Sequence, residues 1–354
     1  LEDASATAVA SNAEELVSLS HADYDTHERS WDFLRSPLLD STCFATTLAD
    51  THTRLGEAYR AKVNRVQQLE EENNRLFIDA YGLEDDLSAD VPQADITLAR
   101  ADREADMKGI VSYAVGCTMG RYSLEEPGLI YAYRGGEAFD RSRYTMFSAT
   151  EDGIVVVTPN EWFDNDAANL FEGFLKSAWP EETLEENLTF VADSLSPRKS
   201  DTSRQTIRRY FAQGFFKDHL QTYKRRPIYW LFTSGRKRAF QALVYLHRYN
   251  ESTLARMRTT YVIPLMQRMR VRAEQLDIEH ESGDTSTTRK RQIEKELNAI
   301  NDQQAELRAF DEQLQHYAEQ QITLDLDDGV KVNYGKFGSL LADVKAVTGK
   351  TATA

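Results

Sequence analysis

The sequence predicts a mainly α-helical protein with a smaller α/β part, and three observations predict it. Long stretches near both ends repeat apolar residues at alternating steps of three and four. A central region instead carries Gly and Pro between short β-prone runs. The composition is that of a folded, polar chain: 354 residues, 41% apolar and 28% charged, with seventeen Gly and eight Pro. That length is roughly two domains' worth of protein. The patterns divide it into an irregular segment with a helical connector (1–104), a mixed region (105–260), and a helical hairpin with a tail (261–354).

Taken in order, residues 1–50 read as irregular, punctuated by Ser, Thr and Asp. There Tyr24, Trp31, Phe33, Leu34, Leu38 and Leu39 form a packing segment. Over 53–83 a helix is predicted from the seam Leu55, Tyr59, Lys62, Val66, Leu69, Asn73, Leu76, Ala80 and Leu83. Asn73 is the polar residue on that seam that fixes register, and Gly82 ends or bends the helix. A second helix is predicted over 102–121, with Met107, Ile110, Val111, Ala114, Val115 and Met119 as its apolar face. Residues 122–160 are the most strand-like part, through 129–133 and 154–158. Helices return over 160–250, with Trp162, Phe171, Phe174, Leu175 and Trp179 as core candidates and 194–203 as a polar loop. Met266, Met269, Ala273 and Leu276 lie on one helix. A polar turn over 282–288 then leads into the heptad seam Ile293, Leu297, Ile300, Leu307, Leu314 and Tyr317, which makes an antiparallel hairpin. A turn at 327–329 and a short helix over 337–347 complete the chain.

Composition and motifs exclude several classes. The longest uncharged stretch, 109–120, is too short for the ~20 residues of a membrane helix. The start, Leu1-Glu2-Asp3-Ala4, has no cationic or apolar signal character, so a cytoplasmic protein without a membrane partner is expected. It also lacks Met, as a piece of a longer protein would. Cys43 and Cys117 stand far apart, which leaves no CxxC site and no disulfide framework; both are expected to be reduced. The seven His never fall three to five apart, so no helical His pair can hold a metal. There is no GxGxxG, GxxxxGK[ST] or GxSxG motif and no Asn-Pro-Pro-aromatic tetrapeptide. Gly116 and Gly120, spaced GxxxG, are read as permitting close helix packing. No catalytic, cofactor or metal residue is assigned, and the chain reads as a binding or structural module.

Charge is segregated. The chain carries −15, yet residues 204–258 hold thirteen Lys or Arg against Asp218 and Glu251 alone, a local +11. Such an island is the footprint of a phosphate-binding surface. Its aromatic interleaving, including Tyr210, Phe211, Phe215, Tyr223, Tyr229 and Trp230, fits the same purpose. A solvated helix face and a site for an acidic protein remain open readings. The candidate contacts are Arg208, Arg209, Lys217, Lys224, Arg225, Arg226, Arg236, Lys237 and Arg238. Two basic triplets flank the buried run 228–232, a strand or short helix, with Pro227 and Ser234-Gly235 setting its ends. Arg121, Arg134, Arg141 and Arg143, in the Gly-punctuated region, are the next candidates.

Residues 204–261, RQTIRRYFAQGFFKDHLQTYKRRPIYWLFTSGRKRAFQALVYLHRYNESTLARMRTTY, resemble the C-terminal region of the PglX family. These are the adenine-specific DNA methyltransferases of BREX phage-exclusion systems. YDTHERSWDFLRSPLL (24–39), LEEENNRLFIDAYGL (69–83), IVSYAVGCTMGRYSLEEPGLIYA (110–132) and LDLDDGVKVNYGKFG (324–338) match in the same order. Of these, LEEENNRLFIDAYGL alone is weak, because related stretches recur in other modification enzymes. The resemblance implies a target-recognition region over 105–260 and a helical spacer over 261–354. It further implies double-stranded DNA as partner, with an acidic DNA-mimic phage protein and other BREX proteins as further partners. The family's S-adenosylmethionine-binding domain and its Asn-Pro-Pro-Tyr motif have no counterpart here, so no catalytic or cofactor residue is carried over. The implied role is to hold DNA and select the site at which adenine N6 is methylated. A protein-docking scaffold for other defence components is the alternative.

Overall fold

The computed structural model describes residues 3–132 and 138–349. It is mainly α-helical with one small sheet. Contrary to the irregular reading of the first fifty residues, α1 (Asp3–Tyr24) is a 22-residue helix. Its stripe is mostly Ala, Ser and Asn, which hides the helical period. What holds it is contact with α2 (Leu48–Tyr81): Leu16 and Leu19 pack on Val63, Val66, Ile96 and Leu98. Asn12 also bonds Asn73 at 3.1 Å, and Arg65 grips Glu15 through two bonds of 2.6 Å. The polar seam residue Asn73 thus marks the α1–α2 register. Thr47 caps α2 by accepting from Asp50 N–H, and Gly82 closes it at φ +64. The seam is buried at Leu55, Tyr59, Val66 and Leu69, with Val63 in place of Lys62, but beyond Leu69 it leaves the core: Leu76 and Leu83 are half-buried and Ala80 is exposed.

Helix α3 (Arg103–Thr118) starts at Asp102, whose carboxylate accepts from Ala105 N–H at 2.8 Å. Its predicted apolar face is fully buried. Gly116 and Gly120 do permit close packing, but against rings rather than a helix. A Cβ at Gly116 would sit 2.5 Å from Tyr122, and one at Gly120 2.4 Å from Phe139. Residues 129–132 are not a strand, and Tyr133 lies outside the described residues. From 154 onward the strand reading holds as β1 (Ile154–Val156).

Next come α4 (Ala167–Ala178), α5 (Leu184–Ser194), α6 (Ser203–Tyr210) and α7 (Phe216–Thr222), the last two joined through a π turn at Phe211–Phe215. Phe171, Phe174, Leu175 and Trp179 are buried as predicted, and Trp162 is half-buried. The helical reading of 160–250 needs correction: the run at 228–232 is the strand β2 (Tyr229–Thr233), and it forms a hairpin with an unforeseen strand, β3 (Gln241–Tyr245). The sheet is antiparallel in the order β1-β3-β2, with Trp230 opposite Val244 and Val156 opposite Ala242. β3 is buried along its whole length, so its sequence lacks the alternation that marks a half-exposed strand. The outer edge of β2 is covered where Ala342 N–H donates to Leu231 O at 2.8 Å.

Helix α8 (Thr253–Arg256) runs through a π turn (Met257–Val262) into α9 (Ile263–Glu281), which pairs with α10 (Thr287–Glu319). The hairpin prediction is met: Met269, Leu276, Ile293, Ile300, Leu307 and Leu314 are buried, with Phe310 added and Leu297 half-buried. The turn at Leu326–Asp328 leads into α11 (Gly329–Gly335). The predicted terminal helix is shorter than expected, as α12 (Val344–Thr348). Cys43 and Cys117 are buried free thiols. Among the described residues no helix is long and apolar enough to cross a membrane.

Candidate nucleic-acid interface

The basic island is one run in sequence but three environments in space. Arg208 and Arg248 are buried at 8% exposure each. Arg208 donates to Asp166 (3.1 and 3.3 Å) and Asn169 (3.2 Å), so it braces the N-cap of α4. Burial raises the Asp166 carboxyl above its ordinary range, although Arg208 and two backbone N–H groups oppose the shift. Arg248 donates to the carbonyls of Met119, Thr150 and Glu151 and lies 3.6 Å from the Phe139 ring centroid. Burial lowers its guanidinium to about 10.

A second set is exposed or half-buried but already paired. Arg204 holds Glu172 and Glu185, Arg209 holds Asp201 at 2.9 Å, and Arg258 holds Asp311 at 2.8 Å. Lys237 meets Asp302 at 2.5 Å. Acids from distant parts of the sequence therefore cancel much of the local +11.

Lys217, Lys224, Arg225, Arg226, Arg236, Arg238 and Arg256 form the third set. Among the described residues none of these has a carboxylate within 4.0 Å, and all but the half-buried Arg238 are exposed. The first triplet is the most open. Lys224 N–H donates to Gln221 O (3.1 Å) and Arg225 N–H to Leu220 O (2.7 Å), the paired bonds that close a helix C-terminus. Lys224 and Arg225 take the left-handed conformation there, at φ +49 and +61. That region ordinarily selects Gly, so two charged side chains are held at a backbone cost of order 1 kcal/mol each.

The turn is anchored on both sides. Ahead of it, the Tyr223 hydroxyl donates to Glu28 (3.0 Å) and accepts from Arg121 (2.5 Å), while Ser112 donates to Glu28 at 2.6 Å. Behind it, His219 Nε2 accepts from the N–H groups of Ile228 and Tyr229, at 3.1 and 3.2 Å. Burial, with Arg121 nearby, lowers this imidazole to about 3, so it stays neutral and free to accept.

The second triplet is docked. Glu306 of α10 accepts from Ser234 Oγ (2.7 Å), Lys237 N–H (2.7 Å) and Ala239 N–H (3.2 Å), gathering the β2–β3 turn onto the helix. Gly235 sits at φ +134, a conformation that favours Gly, and a Cβ there would push the Glu306 carboxylate, 2.8 Å away, out of its bonds to the turn. Arg238 turns at φ +52.

The remaining candidates are otherwise placed. Arg121 is largely buried in the Glu28–Tyr223 network, its guanidinium 4.8 Å from the Tyr122 ring centroid. Arg141 pairs with Glu151 at 2.8 Å, and Arg143 pairs with Glu126. Arg134 lies outside the described residues. Beside the first triplet opens a cleft of about 900 Å³, lined by His27, Glu28 and Arg29 from the loop after α1, Ser112 of α3, and Thr222 and Lys224. Its acids Glu104 and Asp218 are taken by Lys108, and Asp106 by His52. The charge count misses Arg29, which belongs to this surface yet lies far from the island in sequence.

No protein-family model matches the chain. Two characterised proteins are similar along nearly all of it. The adenine-specific methyltransferase BrxX of Escherichia coli O9:H4 (strain HS) is 38% identical over 95% of this chain. The adenine-specific methyltransferase PglX of Lacticaseibacillus casei (strain Zhang) is 40% identical over 95% of it. The chain corresponds to a region of PglX/BrxX-family proteins. It spans 30% of the length of the first relative and 28% of the second. In this PglX/BrxX-like region, Lys224 and Arg29 are the exposed cations that line the cleft without a carboxylate partner among the described residues.

Proposed function

We propose that this chain is the target-recognition part of a site-specific adenine-N6 DNA methyltransferase of a phage-defence system. It binds duplex DNA and selects the site on which catalytic machinery elsewhere in the protein acts. One observation carries the reading: an exposed, strained and doubly anchored cationic turn, Lys224, Arg225 and Arg226, on a chain of net charge −15. Exposed cations without acidic partners gain most from phosphate, because neutralising it releases counterions. Similarity to two proteins named as adenine-specific methyltransferases makes DNA the fitting polyanion. Lys217, Arg236, Arg238 and Arg29 are the supporting phosphate contacts. Arg121 and Arg208 act as braces.

The methyl donor implied by the family, S-adenosylmethionine, does not fit the described residues. Their sheet is antiparallel and lacks the strand–Gly-rich turn–helix crossover that cradles such cofactors. The chain is proposed to be without methyl-transfer activity of its own. An acidic phage protein presenting carboxylates at phosphate-like spacing would compete for the same turn.

Selection from a random duplex pool tests the reading. Enrichment of a common motif by the 354-residue chain is the expected result. Tight, salt-sensitive binding without enrichment would assign site selection to another part of the protein. No binding at low salt would leave the scaffold alternative.

A further inference from the structure

Trp31 is 98% exposed, whereas Trp179 and Trp230 are 3% and 1% exposed and Trp162 is half-buried. A tryptophan left in water keeps a large apolar surface unburied, and such residues are concentrated where a partner docks. The loop that carries it is fixed. Ser30 Oγ donates to Asp25 at 2.6 Å, and Asp32 N–H donates to Ser30 Oγ at 3.2 Å. Two residues beyond, Phe33 is buried edge-on against Tyr113 and Tyr122. The backbone that carries the ring is thus held on both sides.

The electrostatics around the ring decide the class of partner. Glu28 is occupied by Ser112, Arg121 and Tyr223, and Asp25 by His21 and Ser30. Asp32 is turned toward His21 and Asp25, the three groups lying within 4.8 Å of one another. Arg29 is exposed, with no carboxylate within 4.0 Å among the described residues. The 3.0 Å bond from Tyr223 to Glu28 ties this loop to the residue directly before the triplet. Trp31 is three residues from Glu28, a reach of at most ~11 Å. An exposed ring is therefore carried on the same loop as Arg29, which has no carboxylate partner among the described residues, and Glu28 ties that loop to Tyr223. An apolar protein partner would use Trp31 with exposed Leu34 and Leu129, but the neighbouring charge favours a polyanion with π faces.

We infer that Trp31 is a stacking platform for a nucleobase at the edge of the DNA surface. This rests on the DNA-binding reading above and adds a base-contacting element to it. Stacking of one base on an aromatic ring alters affinity between about 5- and 150-fold. It involves no phosphate, so the salt slope should not change.

The test compares the parent chain with Trp31→Ala and Trp31→Phe on a duplex carrying one unpaired adenine and on its fully paired counterpart. The parent should prefer the unpaired base, with quenching of tryptophan fluorescence that Trp31→Phe removes. Trp31→Ala should lose that preference and bind between about 5- and 150-fold more weakly at an unchanged salt slope. Trp31→Phe should retain most of the affinity. Equal binding by parent and Trp31→Ala on both duplexes would overturn the inference and leave the DNA reading standing. A parent that binds neither duplex at low salt would overturn both.

Discussion

The two basic triplets are ten to fourteen residues apart and alike in composition, yet the fold treats them differently. Lys224, Arg225 and Arg226 follow α7 in a left-handed turn, exposed and with no acidic partner among the described residues. Arg236, Lys237 and Arg238 occupy the β2–β3 turn, where Glu306 collects three donors and Asp302 pairs with Lys237. Equal charge in sequence thus gives unequal charge toward a ligand. The first turn leaves its cations open to solvent, while the second uses part of its charge to hold a hairpin against α10.

This contrast can be broken from either side. The largest effect is expected on the docked side. Leu307 is fully buried beside Glu306, and Leu307→Asp would place an unpaired charge in the α9–α10 seam. A loss of about 3–5 kcal/mol in denaturant unfolding is expected; the same change at half-buried Leu297 should cost less. Glu306→Ala leaves three donors of the second turn without their acceptor and should cost about 1–3 kcal/mol. Asp302→Asn, by contrast, should free the Lys237 ammonium and narrow the difference between the triplets in DNA binding.

On the open side, His219 receives the backbone just beyond the first triplet. Its folded value of about 3 lies below the ordinary 6.5. The unfolded chain therefore takes up a proton that the folded chain refuses between those pH values. Its contribution to stability is full above pH 6.5 and is lost as pH falls toward 3, with a slope of at most about 1.4 kcal/mol per pH unit. His219→Gln should flatten melting temperature against pH in that window; an unchanged profile would mean that this imidazole does not hold the turn. The smallest effect is expected from Tyr223→Phe, which removes the hydroxyl between Glu28 and Arg121. A loss of about 0.5–1.5 kcal/mol is expected, together with weaker DNA binding by a first triplet no longer fixed to the Trp31 loop.

Local periodicity makes part of this fold legible. The α2 seam, the α3 face and the α9–α10 hairpin each bury a stripe that repeats every three or four residues, and the sequence predicts all three. Helix α1 escapes it, because its stripe is made mostly of Ala, Ser and Asn and its holding partners, Val63, Val66, Asn73 and Arg65, lie on another helix. β3 escapes it too, because burial on both faces removes the alternation that distinguishes a strand. The site is half legible. Both triplets stand out as charge, but Arg208 meets Asp166 from 42 residues away, and Lys237 meets Asp302 from 65. No local pattern reports such partners. Trp31 reads as packing because an aromatic cluster looks alike in sequence whether it faces the core or the solvent.

The most direct test of the account is the salt dependence of duplex affinity for the parent and two variants, Lys224→Gln/Arg225→Gln/Arg226→Gln and Arg236→Gln/Lys237→Gln/Arg238→Gln. Removing one cation that neutralises a phosphate should lower the slope of log affinity against log salt by roughly one unit. The slope should therefore fall by roughly three units in the first variant and by no more than about two in the second, since Lys237 is already paired with Asp302. A first variant with the parent's slope and affinity, while still folded, would contradict the account and place the DNA surface elsewhere on the molecule.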